Sequence, residues 1–235
     1  MTRSRQKVQK KTNSRNKTQR HLIADLHKHS PISEQYRTIR TNIEFSSVDK
    51  ELRSFVVTSA GPGEGKSTSV ANLAIVMAQN GNTVLIVDAD MRRPTAHYTF
   101  NLANTRGLTN VLSKQSLLEE TVQKTNINNL SILTCGPIPP NPAELLNSQM
   151  MEIMMKEALA QFDIVFFDAP PVMAVTDAQL LANKVDGTIL VTSSGKTDKE
   201  EIIKTKELLD KTKANILGVI LNNKPVDEKS YYYYS

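Results

Sequence analysis

An α/β fold, built on a mostly parallel β-sheet with helices on both faces, is the architecture this sequence predicts, and three observations carry it. Short apolar runs alternate with helical patterns along most of the 235 residues, the order that βαβ units produce. Those runs are nearly continuously apolar, as in Val84-Leu-Ile-Val87 and Ile164-Val-Phe-Phe167, which strands covered on both faces require. Between the first strand and its helix stands a glycine-rich turn, Ala60-Gly-Pro-Gly-Glu-Gly-Lys66-Ser67.

Taken in order, Pro31 opens a helix whose Ile32, Tyr36, Ile39 and Ile43 recur at helical spacing and form one apolar stripe. Glu34, Arg37, Arg40 and Glu44 lie on its other side. Residues 54–58 read as a strand, and residues 66–79 as an alanine-rich helix that Gly81 and Asn82 break. Residues 83–88 are the second strong strand. Short helices are expected near 107–113 and 116–122, followed by a strand over 130–134. The proline-rich turn 137–142 leads into a helix that runs through residue 160. The strand 163–168, the helix 177–183, the strand 188–192, the charged helix 198–211 and the strand 216–221 complete the alternation. No internal repeat interrupts it, so residues 31–223 are expected to form one domain of ordinary size.

Composition is that of a globular chain, 39% hydrophobic and 23% charged, which excludes collagen-like and wholly disordered proteins. No stretch approaches the ~18 uninterrupted apolar residues of a membrane span. The basic start is followed by no apolar segment of a secretory signal, so a cytoplasmic protein is expected. The net charge of +5 belongs to one end. Arg3, Arg5, Lys7, Lys10, Lys11, Arg15, Lys17 and Arg20 face no acid within residues 1–20, which leaves 21 basic against 24 acidic side chains elsewhere, a net of −3. With little to bury, residues 1–30 are expected to be a disordered arm that solubilises the chain or rests on anionic lipid or an acidic partner. No aromatic residues interleave with these charges, which argues against nucleic acid as the partner. Residues 224–235 are expected to form a flexible tail containing Tyr231, Tyr232, Tyr233 and Tyr234, four adjacent tyrosines in a chain that is only 5% aromatic.

The turn at 60–67, set between strand and helix, has the pattern of a phosphate-binding P-loop, and it identifies the fold as that of a P-loop NTPase. Glycines at 61, 63 and 65 let the backbone wrap with its N–H groups inward, where they and the helix N-terminus bind phosphate oxygens. The nucleotide-binding residues are accordingly Gly61, Pro62, Gly63, Glu64, Gly65, Lys66, Ser67 and Thr68. Lys66 reaches the outer phosphates, Ser67 ligates Mg²⁺ and Thr68 adds a hydroxyl. The second strand ends in Asp88-Ala-Asp90, whose two carboxylates an extended chain places on one side. Ligands of open parallel sheets bind at the carboxyl ends of strands, so this pair is expected to face the P-loop. Asp168 ends Ile164-Val-Phe-Phe and supplies a third carboxylate, of the kind that holds Mg²⁺ through water. Two suffice for a metal-bound nucleotide; the third is free to accept a proton from an attacking hydroxyl.

With this P-loop and Asp168, the run Leu85-Ile-Val-Asp88-Ala-Asp90-Met-Arg92 resembles the Walker A, B and A′ motifs of the bacterial tyrosine kinases of the capsule and exopolysaccharide type, the CpsD/CapB family. The resemblance extends from Pro31 to the last residue. It includes Glu34-Gln-Tyr-Arg37-Thr-Ile-Arg40, similar to the element by which family members assemble into rings, and the terminal tyrosines, which neighbouring subunits phosphorylate in that family. It implies an ATP- and Mg²⁺-dependent protein-tyrosine kinase with Lys66, Asp88 and Asp90 as catalytic residues and Ser67, Asp88 and Asp168 around the metal. One of Asp88 and Asp90 activates the incoming tyrosine; Asp88 is favoured, although the sequence does not separate them. Lys66 and Arg92 or Arg93 offset charge on the transferring phosphoryl group. The resemblance further implies trans-phosphorylation of Tyr231–Tyr234, a ring held by Glu34, Arg37 and Arg40 that dissociates on phosphorylation, and control of capsular or exopolysaccharide synthesis. A separate transmembrane activator of the polysaccharide co-polymerase type would bring the chain to the inner face of the membrane, and protein substrates bear tyrosine.

The principal alternative is an ATPase switch of the division-site or plasmid-partitioning type. Such proteins resemble one another in a lysine at the second P-loop position, where this chain has Gly61. Of the remaining residues, Asn222 is more simply a strand-end asparagine than a contact to the nucleotide base. Cys135 is expected to be a buried small residue, and His21, His27, His29 and His97 lack the spacing of a metal site.

Overall fold

The computed structural model describes residues 22–46 and 51–225. The eight basic side chains of residues 1–20 and the tyrosine run 231–234 lie outside the described residues. The strands are β1 (Ser54–Ser59), β2 (Val84–Asp88), β3 (Gln123–Lys124), β4 (Leu130–Leu133), β5 (Ile164–Asp168), β6 (Gly187–Ser193) and β7 (Ile216–Asn222). They form one sheet in the order β3-β4-β2-β5-β1-β6-β7. Every neighbouring pair is parallel except the two-residue β3, which runs antiparallel to β4. The helices are α1 (Ile23–Leu26), α2 (Pro31–Glu44), α3 (Lys66–Gln79), α4 (Ala96–Phe100), α5 (Leu108–Leu112), α6 (Leu118–Thr121), α7 (Pro142–Leu146), α8 (Gln149–Gln161), α9 (Asp177–Ala182) and α10 (Lys199–Asp210). This is the mostly parallel P-loop NTPase sheet that the sequence predicts.

Two cores flank the sheet, and single strands divide their side chains between them. Phe55, Val57, Val84, Ile86, Ile164 and Phe166 point into the core under α1, α2 and α3. Val56, Leu85, Val87, Val165 and Phe167 point into the core under α5, α8 and α9. Alternation is therefore present in space although invisible as a polar–apolar pattern, because both faces are dry. Helix α3 is apolar on almost every side: residues 69–78 are all buried between the sheet and the α1–α2 pair. The β7 edge departs from expectation, since Val219 and Leu221 are each 54% exposed. No helix among the described residues is long and apolar enough to cross a membrane.

Helix α2 begins as its sequence indicates, with Pro31 in the first turn and the Ser30 hydroxyl accepting the Ser33 N–H at 3.2 Å. Tyr36 and Ile43 of its expected stripe are buried, Ile39 is half-buried and Ile32 is exposed. The expectation of a disordered arm through residue 30 needs correction for residues 22–30. Buried Ala24 seats α1 on α3, its N–H donating to Asn72 Oδ1 at 2.9 Å while its carbonyl accepts from Gln79 Nε2 at 2.9 Å. A four-residue helix is too short to be stable alone; its order comes from side-chain amides on α3, a tertiary contact with no local sequence signal.

Candidate active site

The strand order decides which loops meet. Strands β2, β5 and β1 are consecutive neighbours, and Asp88 pairs in register with Asp168. Three carboxyl ends thus converge at the point where strand order reverses: the P-loop after β1, the Asp88-Ala-Asp90 turn after β2 and the Asp168 turn after β5.

Close approach and unusual dihedrals shape the P-loop. Gly63 and Gly65 take φ of 73° and 95°, a region that costs glycine nothing. At Gly65 a Cβ would stand 1.9 Å from Asn222 Nδ2, and that amide donates to the Glu64 carbonyl at 3.0 Å. Glu64 turns inward, 3% exposed, and its carboxylate accepts the Gly61 N–H at 3.0 Å. The Ser59 hydroxyl donates to the Gly61 carbonyl at 2.7 Å. On the outer side Lys196 Nζ donates to the carbonyls of Pro62 and Gly63 at 3.0 and 3.3 Å. With the carbonyls gripped from behind, the loop is braced in the conformation that turns its N–H groups forward. Gly61 and Glu64 belong to this brace, whereas Pro62, Gly63, Gly65, Lys66, Ser67 and Thr68 line the cavity in front of it.

That cavity encloses about 670 Å³ and has three walls. The P-loop is one; Asp90, Arg92, Arg93 and Thr95 form the second; Pro170, Pro171, Ala174 and Val175 form the third. Lys66 lies across its floor, with Nζ 2.9 Å from Asp90 Oδ2 and 3.4 Å from Asp168 Oδ1. Burial alone would lower the lysine pKa, but Asp168, Asp90 and Asp88 together outweigh it and hold the pKa raised, so Lys66 is a cation.

Geometry separates the two acids of the second strand. Asp88 is wholly buried and does not line the cavity; its Oδ2 accepts the N–H groups of Thr95 and Ala96 at 2.9 and 2.8 Å, while its Oδ1 has no partner. Burial first, and the Asp168 charge second, push Asp88 up to about 7. Asp90 reaches the cavity, and its Oδ1 accepts the Arg93 N–H at 3.1 Å. Arg92 is clamped by Asp177, itself fully buried, through bonds of 3.0 and 3.1 Å that hold the guanidinium in its charged form.

Mg²⁺ fits these residues. A buried, unpartnered carboxylate oxygen beside a second carboxylate is a site that a divalent cation relieves, and Ser67 adds a hydroxyl oxygen. Among the described residues no three His, Cys, Asp or Glu side chains are grouped to hold a metal by themselves. A cation at this position would share its coordination with phosphate oxygens, as Mg²⁺ does.

The other expected residues lie elsewhere. Glu34, Arg37 and Arg40 are on α2, where Arg37 pairs with Glu34 and donates to the Lys28 carbonyl, and Arg40 reaches the Val76 carbonyl at 3.4 Å and Glu44 at 3.6 Å. Cys135 is fully buried and pushed up to about 12, first by burial and then by Asp88, which leaves it an inert thiol. Asn222 serves the P-loop backbone, a role its place at the end of the last strand only hints at. Asp177, at the start of α9, and Lys196, in the turn after β6, belong to no motif in the sequence, and only the long-range contacts they make reveal their roles.

Comparison with known proteins gives the relatives of this chain. An AAA domain family model matches residues 53–217. The chain is 54% identical over 222 residues to tyrosine-protein kinase YwqD of Bacillus subtilis (strain 168), covering 94% of each. It is 42% identical to the putative tyrosine-protein kinase CapB of Staphylococcus aureus, covering 87% of this chain and 90% of that one. The crystal structure of the chimerical protein CapA2B2 superposes with a TM-score of 0.85 at 45% identity, over 87% of this chain and 90% of that one.

A carboxyl with a raised folded-state pKa costs stability once it must ionise. For Asp88 the cost is absent below about pH 4, grows between pH 4 and 7, and is complete above 7. In Mg²⁺-free solution Asp88→Asn should therefore raise unfolding free energy at pH 8 by on the order of 1–3 kcal/mol. The asparagine oxygen keeps the Thr95 and Ala96 bonds, and the gain should shrink to nothing toward pH 4. Urea unfolding at both pH values checks this; equal destabilisation at both would contradict it.

Proposed function

The chain belongs to the bacterial tyrosine-protein kinases, and from that membership we propose that it transfers the γ-phosphoryl group of ATP, with Mg²⁺, to tyrosines of its own terminal run in a neighbouring subunit. The observation that carries the reading is the position of Asp90: a carboxylate on the cavity wall, facing the P-loop that binds phosphate. An ATPase needs only a water site there. A kinase needs room for a side chain, and the 670 Å³ cavity has it behind an apolar third wall.

In the proposed reaction the P-loop N–H groups and Lys66 hold the outer phosphates. Ser67, Asp88 and Asp168 would hold Mg²⁺, which would neutralise phosphate charge when bound. The phenol of the acceptor enters beside Asp90, whose carboxylate takes the phenolic proton as the new O–P bond forms and the bond to the departing ADP breaks. Phosphoryl transfer has a loose transition state with charge on the peripheral oxygens, so fixed cations are the main protein contribution. Lys66 and the Asp177-clamped Arg92 occupy that role. Asp88, held back by two backbone N–H groups, serves the metal side, so the proposed base is Asp90 rather than Asp88, the residue favoured on the family resemblance. The ATPase-switch alternative loses its support, since Gly61 stands where that class has its lysine.

Glu34 and Arg37 present charge on the exposed side of α2, Arg40 is turned partly toward the Val76 carbonyl of α3, and the three are proposed to join subunits into a ring. As isolated surface pairs they would contribute only about 0.2–1 kcal/mol each; between subunits the arginine fork gains direction as well as energy. Each tyrosine phosphate adds a charge of about −1.5 to −2, so a modified tail would be repelled by the carboxylates it had entered, which favours dissociation. A separate transmembrane activator of the polysaccharide co-polymerase type would hold the assembly at the inner membrane face, where capsular or exopolysaccharide synthesis is regulated.

Phosphopeptide mass spectrometry on protein made in its own cell should find phosphate on Tyr231–Tyr234, and Lys66→Met should abolish it. An unmodified wild-type tail, with the activator present, would contradict transfer. Light scattering should show the wild-type oligomer falling to monomer when Glu34, Arg37 and Arg40 are replaced by alanine. An unchanged mass would remove α2 from the interface.

A further inference from the structure

Cations at the cavity are not equally engaged. Lys66 is matched by Asp90 and Asp168, and Arg92 by the buried Asp177. Arg93 is exposed at the rim, and its guanidinium has no ion pair or hydrogen bond among the described residues. Its backbone, however, is fixed: the Arg93 N–H donates to both Asp90 Oδ1 and the Asp90 carbonyl, at 3.1 and 3.2 Å. An uncommitted positive charge is therefore tethered at a set place beside the acid that meets the acceptor. Across the cavity Pro170, Pro171 and Val175 offer an apolar surface suited to an aromatic ring.

We propose that Arg93 is a specificity determinant of this kinase: it pairs with a carboxylate that precedes the acceptor tyrosine, while the ring of that tyrosine lies against Pro170, Pro171 and Val175. The proposal rests on the kinase reading and adds the class of acceptor. A fitting segment exists in the chain itself, where Asp227 and Glu228 stand four and three residues before Tyr231. Three residues of extended chain span about 10 Å, which leaves the acid at the rim while the phenol enters. Arginine suits the task because its planar fork takes a carboxylate through two parallel hydrogen bonds. Arg92 does not compete for it, since Asp177 already occupies the inner edge of its guanidinium in a bidentate pair.

The test uses the full chain with the activator's cytoplasmic segment, Mg²⁺-ATP and three synthetic peptides of residues 223–235: the native sequence, one carrying Asp227→Asn with Glu228→Gln, and one carrying lysine at both positions. The wild type should favour the native peptide over the neutral one by about 2–5-fold in kcat/KM, the scale of one exposed ion pair. Arg93→Ala should bring that ratio close to 1 whatever happens to the absolute rate. Arg93→Glu should reverse the order and favour the lysine peptide. A purely structural role for Arg93 would change all three rates together and leave the ratios intact, which would overturn the proposal. Equal use of all three peptides by the wild type would overturn it too, while sparing the kinase reading. Transfer to none of them, by protein that binds Mg²⁺-ATP, would overturn both.

Discussion

Everything at this site depends on one electrostatic arrangement, a single buried ammonium shared among carboxylates at adjacent strand ends. Lys66 bridges Asp90 and Asp168, which come from different turns, and Asp88 lies beside Asp168 in strand register. Without the lysine, three acids so closely placed would repel one another in a poorly solvated pocket, and each would tend to take up a proton. With it, one stays partly uncompensated: Asp88 keeps a bare oxygen and a raised pKa. The site is thus built slightly too negative for the protein alone, which is the balance that a magnesium-bound polyphosphate restores.

Strand order makes this possible. Because β5 lies between β2 and β1, the P-loop, the Asp88–Asp90 turn and the Asp168 turn open on the same cavity. The surroundings then fix each part separately. Asn222, which ends β7, and Lys196, which follows β6, hold carbonyls of the P-loop, and Asp177 at the start of α9 holds Arg92. Contacts from three distant segments thus set the geometry of two short turns. Glycine at 65 is required on two counts: its φ of 95° disfavours any side chain, and the Asn222 amide occupies the space a Cβ would take.

Much of this was legible in the sequence. The P-loop, Asp88, Asp90 and Asp168 could be read because each combines a local motif with a strand end, and parallel sheets carry their ligands there. The main strands and long helices were legible through periodicity. What the sequence concealed is what long-range contact creates. Helix α1 is ordered by two amides on α3, and the two-residue β3 by its pairing with β4. The division between Asp88 and Asp90 was equally hidden: alternation puts both on one side of an extended chain, but the chain turns after Asp88, which sinks one acid and brings the other to the cavity.

The chemistry of the site turns on that division, and one comparison tests it most directly. Single-turnover transfer from Mg²⁺-ATP to a tail-derived tyrosine peptide would be measured for the wild type and for Asp90→Asn, with ATP affinity measured in parallel. If Asp90 takes the phenolic proton, transfer should fall by about 10²-fold or more, while ATP affinity stays within a few-fold. Transfer at the wild-type rate in Asp90→Asn would show that the proton goes elsewhere, and that Asp90 as base with Asp88 on the metal side is the wrong division of roles.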